Sequence, residues 1–192
     1  MDSTSGRTDP RIVRTRQLLR DAFVELLQEM DIEKITVNRL AERATINRVT
    51  FYLHYRDIPD MVEKMADEMI GDIYAVLKKA PANSNSPEEE ITILVYLLEH
   101  IAEHATFYKV ILAMKRTPIF MDRLLKLLTD LITAKIDSMD AYLATAGIQK
   151  DIAIWYGSSS LIGTIIAWLR NDMPYTPQYL AKQFYMLRSS MR

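Results

Sequence analysis

The 192-residue chain has no cysteine. That excludes disulfides, zinc–thiolate sites and thiol nucleophiles, and it accords with a reducing compartment. Glycine is scarce, at five residues, and no phosphate-cradling loop is visible. Charge of one sign is also missing: the formal net charge is -1 and the pI about 6.3, which argues against a uniformly basic nucleic-acid coat. The opening MDSTSGRTDP lacks an apolar signal core, and no uninterrupted apolar run approaches a membrane span. A cytoplasmic chain with no membrane partner is therefore expected. No nucleophile–base pair or metal cluster stands out, so no catalytic residue, enzyme activity or cofactor is expected.

What is plentiful is Met, Leu, Ile, Glu and Lys, a helical composition. The most informative stretch is Thr36 to Asp57, TVNRLAERATINRVTFYLHYRD. Thr36 is a hydroxyl N-cap, and Val37, Leu40, Ala41 and Ala44 recur at helical spacing behind it. Thr45 and Ile46 fill a turn, and Asn47 caps a second helix. Phe51 and Tyr55, four apart, share one face and point at the core. The opposite face carries Val49, Thr50, Tyr52 and Leu53, with Arg48 and His54 at its edges. Apolar residues facing away from a core fit a helix-turn-helix. Its second helix lies in the DNA major groove, where such side chains meet thymine methyls. Arg48 and Thr50 are then expected to reach base edges, and Val49 and Leu53 to pack on methyl groups.

Charge placement agrees. Residues 7–20 hold five arginines against one aspartate, a net of +4, and residues 36–56 hold four arginines against one glutamate, +3. Basic charge gathers on the two segments such a motif would lay along phosphates.

Thr36-Val37, followed by Asn47-Arg48-x-Thr50-Phe51-Tyr52-Leu53-His54-Tyr55-Arg56-Asp57, resembles the TetR/AcrR family of transcriptional regulators, whose hallmark is a T-[FL]-Y-x-[HY]-F run on the recognition helix. The resemblance is strong over roughly residues 11–65. It implies that Thr36, Asn47, Tyr52 and His54 join the DNA-binding set, with Tyr52 and His54 on the DNA backbone. Three positions depart. Thr45 stands where the family usually has Gly, Val49 where a small residue is common, and Ile58-Pro59 where a Lys often contacts phosphate.

Along the chain, Asp9-Pro10 starts a helix to about Met30, with Ile12, Leu19, Ala22, Phe23, Leu26 and Leu27 on one stripe, and Asp31 suits a left-handed close. Asp57 caps an unbroken helix to about Lys79 with Met61, Val62, Met65, Ile73 and Leu77 inward. PANSNSP is a loop, and Ser86-Pro87-Glu88-Glu89 restarts a helix to about Ala105. Phe107 to Met114 is a short helix, and Thr117-Pro118 begins another to about Met139. Helices from about Lys150 to Asn171 and from Pro177 follow, the last with Leu180, Phe184 and Leu187 as its stripe.

Gly157, Ser158 to Ser160 and Gly163 suggest close backbone approach, and the two closing helices look like the four-helix dimer interface of TetR-type proteins. Tyr96, His100, Tyr108 and Trp155 are placed inward. They either bond within the core or line an effector pocket, and about as much speaks for one as for the other. His100 and His104 have metal-ligand spacing, but no third ligand is evident, so no metal is expected.

The fold class is thus all-α: a helix-turn-helix DNA-binding domain over residues 9–56, then a regulatory and dimerisation domain over 57–192. The resemblance implies a cytoplasmic homodimeric regulator of a palindromic double-stranded DNA operator, a repressor released by a small-molecule effector. The alternative is a coregulator of the same fold acting through a protein partner without a small ligand.

Overall fold

The computed structural model describes residues 9–79, 87–113, 117–137 and 140–189. The polar tail, the loop ahead of Pro87 with its Ser86 cap, and the expected helix ends at Met114 and Met139 lie outside them. Among the described residues every regular element is helical: α1 Pro10–Glu29, α2 Val37–Arg43, α3 Arg48–Tyr52, α4 Ile58–Leu77, α5 Pro87–Glu103, α6 Ala105–Tyr108, α7 Pro118–Asp137, α8 Asp140–Ala146, α9 Lys150–Arg170 and α10 Pro177–Ser189. The chain divides into two compact units, Met1–Met65 and Ala66–Arg192.

In the first unit the Asp9 carboxylate accepts from the Arg11 amide at 2.9 Å, and Pro10 supplies the first helical residue. Leu19, Ala22, Phe23, Leu26 and Leu27 are buried as the stripe requires. Ile12 is not, being more than a third exposed. Nor does Asp31 close α1 in a left-handed conformation. Both Met30 and Asp31 are extended, and a 3₁₀ turn, Ile32–Lys34, follows. Extended backbone carries the chain away from α1 so that buried Ile35 can reach the core.

α4 is capped by Asp57, whose carboxylate accepts from the Asp60 amide at 2.8 Å. Met61, Val62 and Met65 are buried on its first half, and Ala66, Met69 and Ile73 beyond. At roughly 1.5–3 kcal/mol for each large apolar side chain buried, this stripe and not helix propensity holds the element.

The second unit is built on two main pairings, α5 with α10 and α7 with α9. Phe120, Leu124, Leu127 and Leu128 of α7 are buried, as are Leu161, Ile162, Ile165, Trp168 and Leu169 of α9. α8 is a separate short helix where the sequence pattern had suggested none; it ends at Gly147, whose φ of 68° needs no Cβ penalty. The short helix after α5 is composite, α6 followed by a π-helical turn, Lys109–Ala113. The stripe expected on α10 is not sunk: Leu180 and Phe184 are half-buried and Leu187 is 62% exposed, while Ala181, off that stripe, is fully buried.

α9 is long and apolar enough to cross a membrane by length and composition alone, although Gly157, Ser158 to Ser160 and Thr164 interrupt its apolar residues. One face of it packs inside the second unit and carries Ser158, whose hydroxyl is bonded to the Ile154 carbonyl. That makes it a core helix with one bare side.

Candidate nucleic-acid interface

The turn between α2 and α3 is a left-handed cap. The Ile46 amide donates to the Ala41 carbonyl at 2.9 Å and the Thr45 amide to the Glu42 carbonyl at 3.1 Å, the paired bonds of a Schellman motif. The residue in the glycine position is Thr45, at φ 55°. The departure from the family's Gly therefore leaves the turn's dihedrals unchanged and costs strain instead, about 1–2 kcal/mol for a residue with a Cβ.

Both caps predicted from the sequence are present. Thr36 Oγ1 accepts from the Arg39 amide at 3.3 Å, and Asn47 Oδ1 accepts from the Val49 amide at 2.8 Å. α3 is short, ending at Tyr52, so Tyr55 lies beyond it. One further helical bond, Tyr55 amide to Phe51 carbonyl at 3.0 Å, still keeps the two on the same side. Phe51 and Tyr55 are buried with ring centroids 5.6 Å apart, and Phe51 also meets Tyr52 edge-on at 5.5 Å.

On the other side of α3 lie Val49, Tyr52 and Leu53, which are 61, 50 and 77% exposed. Arg48, Thr36 and Asn47 are exposed, and Thr50 and His54 half-buried. An apolar trio bare beside a guanidinium is what a major-groove reader presents. Burial, and then the charge of Arg16, push the His54 imidazole down from its ordinary pKa. The ring is thus a neutral hydrogen-bonding group and not a fixed cation. The Lys64 ammonium reaches the His54 carbonyl at 3.3 Å and the Asp60 carboxylate at 2.9 Å, which ties the end of the motif to α4.

Not every arginine counted by charge lies free for phosphates. The Arg43 guanidinium holds both Glu29 carboxylate oxygens at 2.8 Å and Glu25 at 3.3 Å. Arg39 donates to the Lys34 carbonyl at 2.8 Å. These two fasten α2 to α1 and to the 3₁₀ turn. Arg11, Arg14 and Arg48 are exposed, as is Arg56, whose guanidinium lies 3.7 Å from the Asp60 carboxylate. Sequence spacing alone could not separate the two groups, because the acidic partners of Arg43 come from α1.

In the second unit His100 and Tyr108 are buried and joined, ring nitrogen Nε2 to hydroxyl at 3.0 Å, with Tyr96 half-buried on the same face of α5. Trp155 does not join them. It is 62% exposed, on an outer stripe of α9 with Ile152, Tyr156, Ser159 and Gly163. The other side of α9 packs on α7. A Cβ on Gly157 would lie 3.2 Å from Ile132, so that glycine serves an intramolecular contact, whereas a Cβ on Gly163 would meet nothing.

A family model described as a transcriptional regulator C-terminal region, TetR_C_8, matches residues 88–190. A Bacillus subtilis (strain 168) protein named as an uncharacterized HTH-type transcriptional regulator, YxbF, is 24% identical over 181 residues; these are 91% of the chain and 44% of the relative, so the chain spans less than half its length. Among solved structures, the fatty acid degradation regulator FadR from Bacillus halodurans superposes with a TM-score of 0.68 at 19% identity, covering 95% of this chain and 96% of that one. A Bacillus subtilis FadR in complex with stearoyl-CoA gives 0.63 at 16%, covering 89% and 96%.

Proposed function

This chain belongs to the TetR family of transcriptional regulators, and we propose that it acts in the cytoplasm as a homodimer that represses transcription from a palindromic duplex operator and is released by a small-molecule effector. The observation that carries the reading is the two-sidedness of α3: Phe51 and Tyr55 sunk beneath it, Val49, Tyr52 and Leu53 bare above it. Arg48 and Thr50 read base edges, Val49 and Leu53 pack on thymine methyls, and Thr36, Asn47, Tyr52 and His54 position the helix on the backbone.

The bare stripe of α9, with the outer residues of α10, is the surface by which two chains pair. Pairing sets two recognition helices roughly 34–36 Å apart, one helical turn of DNA. α4 begins in the first unit and ends in the second, so a displacement at one end reaches the other through a single rod of 20 residues, roughly 30 Å long. An effector bound by Tyr96, His100 and Tyr108 shifts that rod and so changes the half-site spacing. The stearoyl-CoA held by a protein of the same fold favours an amphipathic effector. Trp155, on the outer stripe, is assigned to pairing.

Selection of duplexes from a random pool tests the reading. It should enrich an inverted repeat with half-sites one turn, or a whole multiple of it, apart. A pool that stays random through repeated rounds would overturn it and favour a coregulator acting through a protein partner.

A further inference from the structure

The chain has three histidines and no cysteine. Two of the three, His100 and His104, sit one turn apart at the end of α5 with Glu103 between them, in the run HIAEH. One ligand atom from each of these three side chains lies within 4.8 Å of the others, and the two imidazole centroids are 4.8 Å apart. Ligands of a tetrahedral ion with bonds of about 2.1 Å stand about 3.4 Å from each other, so closure asks for side-chain rotation and no backbone movement. Glu103 and His104 are exposed and can make that rotation.

His100 is held in place: it is buried, and the Tyr108 hydroxyl lies 3.0 Å from Nε2. A hydrogen bond on one ring nitrogen fixes the orientation and leaves Nδ1 to bind, the arrangement found around metal-bound histidines. We propose that His100, Glu103 and His104 bind a divalent transition-metal ion of the zinc, nickel or copper kind, with Tyr108 orienting His100.

Two nitrogens and one carboxylate oxygen suit such ions better than magnesium or calcium, which take all-oxygen shells. The backbone around the site is irregular: α5 breaks at His104, and a π-helical turn follows α6, a feature that recurs at functional sites. The spacing of His100 and His104 alone names no third ligand, and it is the fold that brings the Glu103 carboxylate within reach of both.

The site shares His100 with the effector site proposed above but does not depend on it. Zinc binding to the untagged, chelator-treated full chain, followed by calorimetry without DNA or organic ligand, separates the two. Zinc should bind once per chain and raise the melting temperature, while magnesium at the same concentration should do neither. Glu103→Gln and His104→Gln, at exposed positions, should each weaken zinc at least about tenfold with the metal-free melting temperature unchanged. His54→Gln, at the chain's other histidine, should keep the zinc isotherm. Absence of saturable binding, or an isotherm that Glu103→Gln and His104→Gln leave intact, would overturn the assignment.

Discussion

Arg43 on α2 grips Glu29 on α1 with two parallel hydrogen bonds of 2.8 Å, and the same guanidinium reaches Glu25 at 3.3 Å. Planar two-point pairing of this kind fixes an angle as well as a distance, so it sets α2 against α1. The hydrogen bonds from Arg43 hold the Glu29 carboxyl below the usual carboxylate range. Its folded pKa is depressed, so the stabilisation is present above the ordinary carboxylate pKa and is lost as pH falls through the folded value. Glu29→Gln should therefore lower the melting temperature of the first unit at pH 7 and make little difference once acid has protonated Glu29. An equal deficit at both pH values would show that the pair contributes through packing and not through charge.

The same engagement predicts which arginines titrate DNA. Each cation on a phosphate adds about one to the slope of log affinity against log salt. Arg14→Gln, at an exposed position, should reduce the slope by about one, and Arg43→Gln should leave it unchanged while lowering thermal stability. A reduced slope for Arg43→Gln would return that residue to the interface.

Arg48→Ala is expected to cost about 1–3 kcal/mol on the selected operator and to relax the preferred sequence at one position of each half-site. Tyr52→Phe should weaken binding on all duplexes with the fold intact, since only its hydroxyl is removed from an exposed ring. Tyr55→Ala, beneath the helix, should lower the melting temperature instead. Uniform loss across sequences for Arg48→Ala would make it a backbone contact.

Much of this architecture was legible in the sequence, and the places where it was not have physical reasons. Caps at Asp9, Thr36, Asn47 and Asp57 depend on neighbours within a turn, and local spacing finds them. The core positions Phe51 and Tyr55 likewise follow from periodicity. Trp155 went astray because a helix whose apolar residues surround it gives periodicity no preferred face, and only packing of Gly157 on Ile132 decides which side turns inward. Ile12 falls on the helical stripe of α1 yet stays more than a third exposed, which spacing does not foretell, and Arg43 finds partners that are 14 and 18 residues away.

Thr45 carries φ 55° in a position glycine occupies without strain. Thr45→Gly should stabilise the first unit by about 1 kcal/mol, the left-handed penalty less the entropy glycine adds to the unfolded chain. Denaturant unfolding checks it. A lower midpoint for the glycine variant would mean that the threonine side chain contributes more than its backbone costs.

The outer stripe of α9 predicts its own dependence on shape. Trp155→Arg and Gly163→Leu should each shift sedimentation of the chain toward monomer. Gly157→Leu should act differently, by disturbing Ile132 and lowering stability. A wild-type chain that sediments as a monomer at micromolar concentration would rule out the pairing.

Whether α3 reads DNA sequence is decided by the ratio of two affinities. Anisotropy titrations of the selected palindrome and of a scrambled duplex of equal length, at physiological salt, should differ by at least about 10³-fold, with most of that ratio lost in Arg48→Ala. Equal affinity for the two duplexes, falling in parallel as salt rises, would mean that the exposed face of α3 does not read DNA sequence.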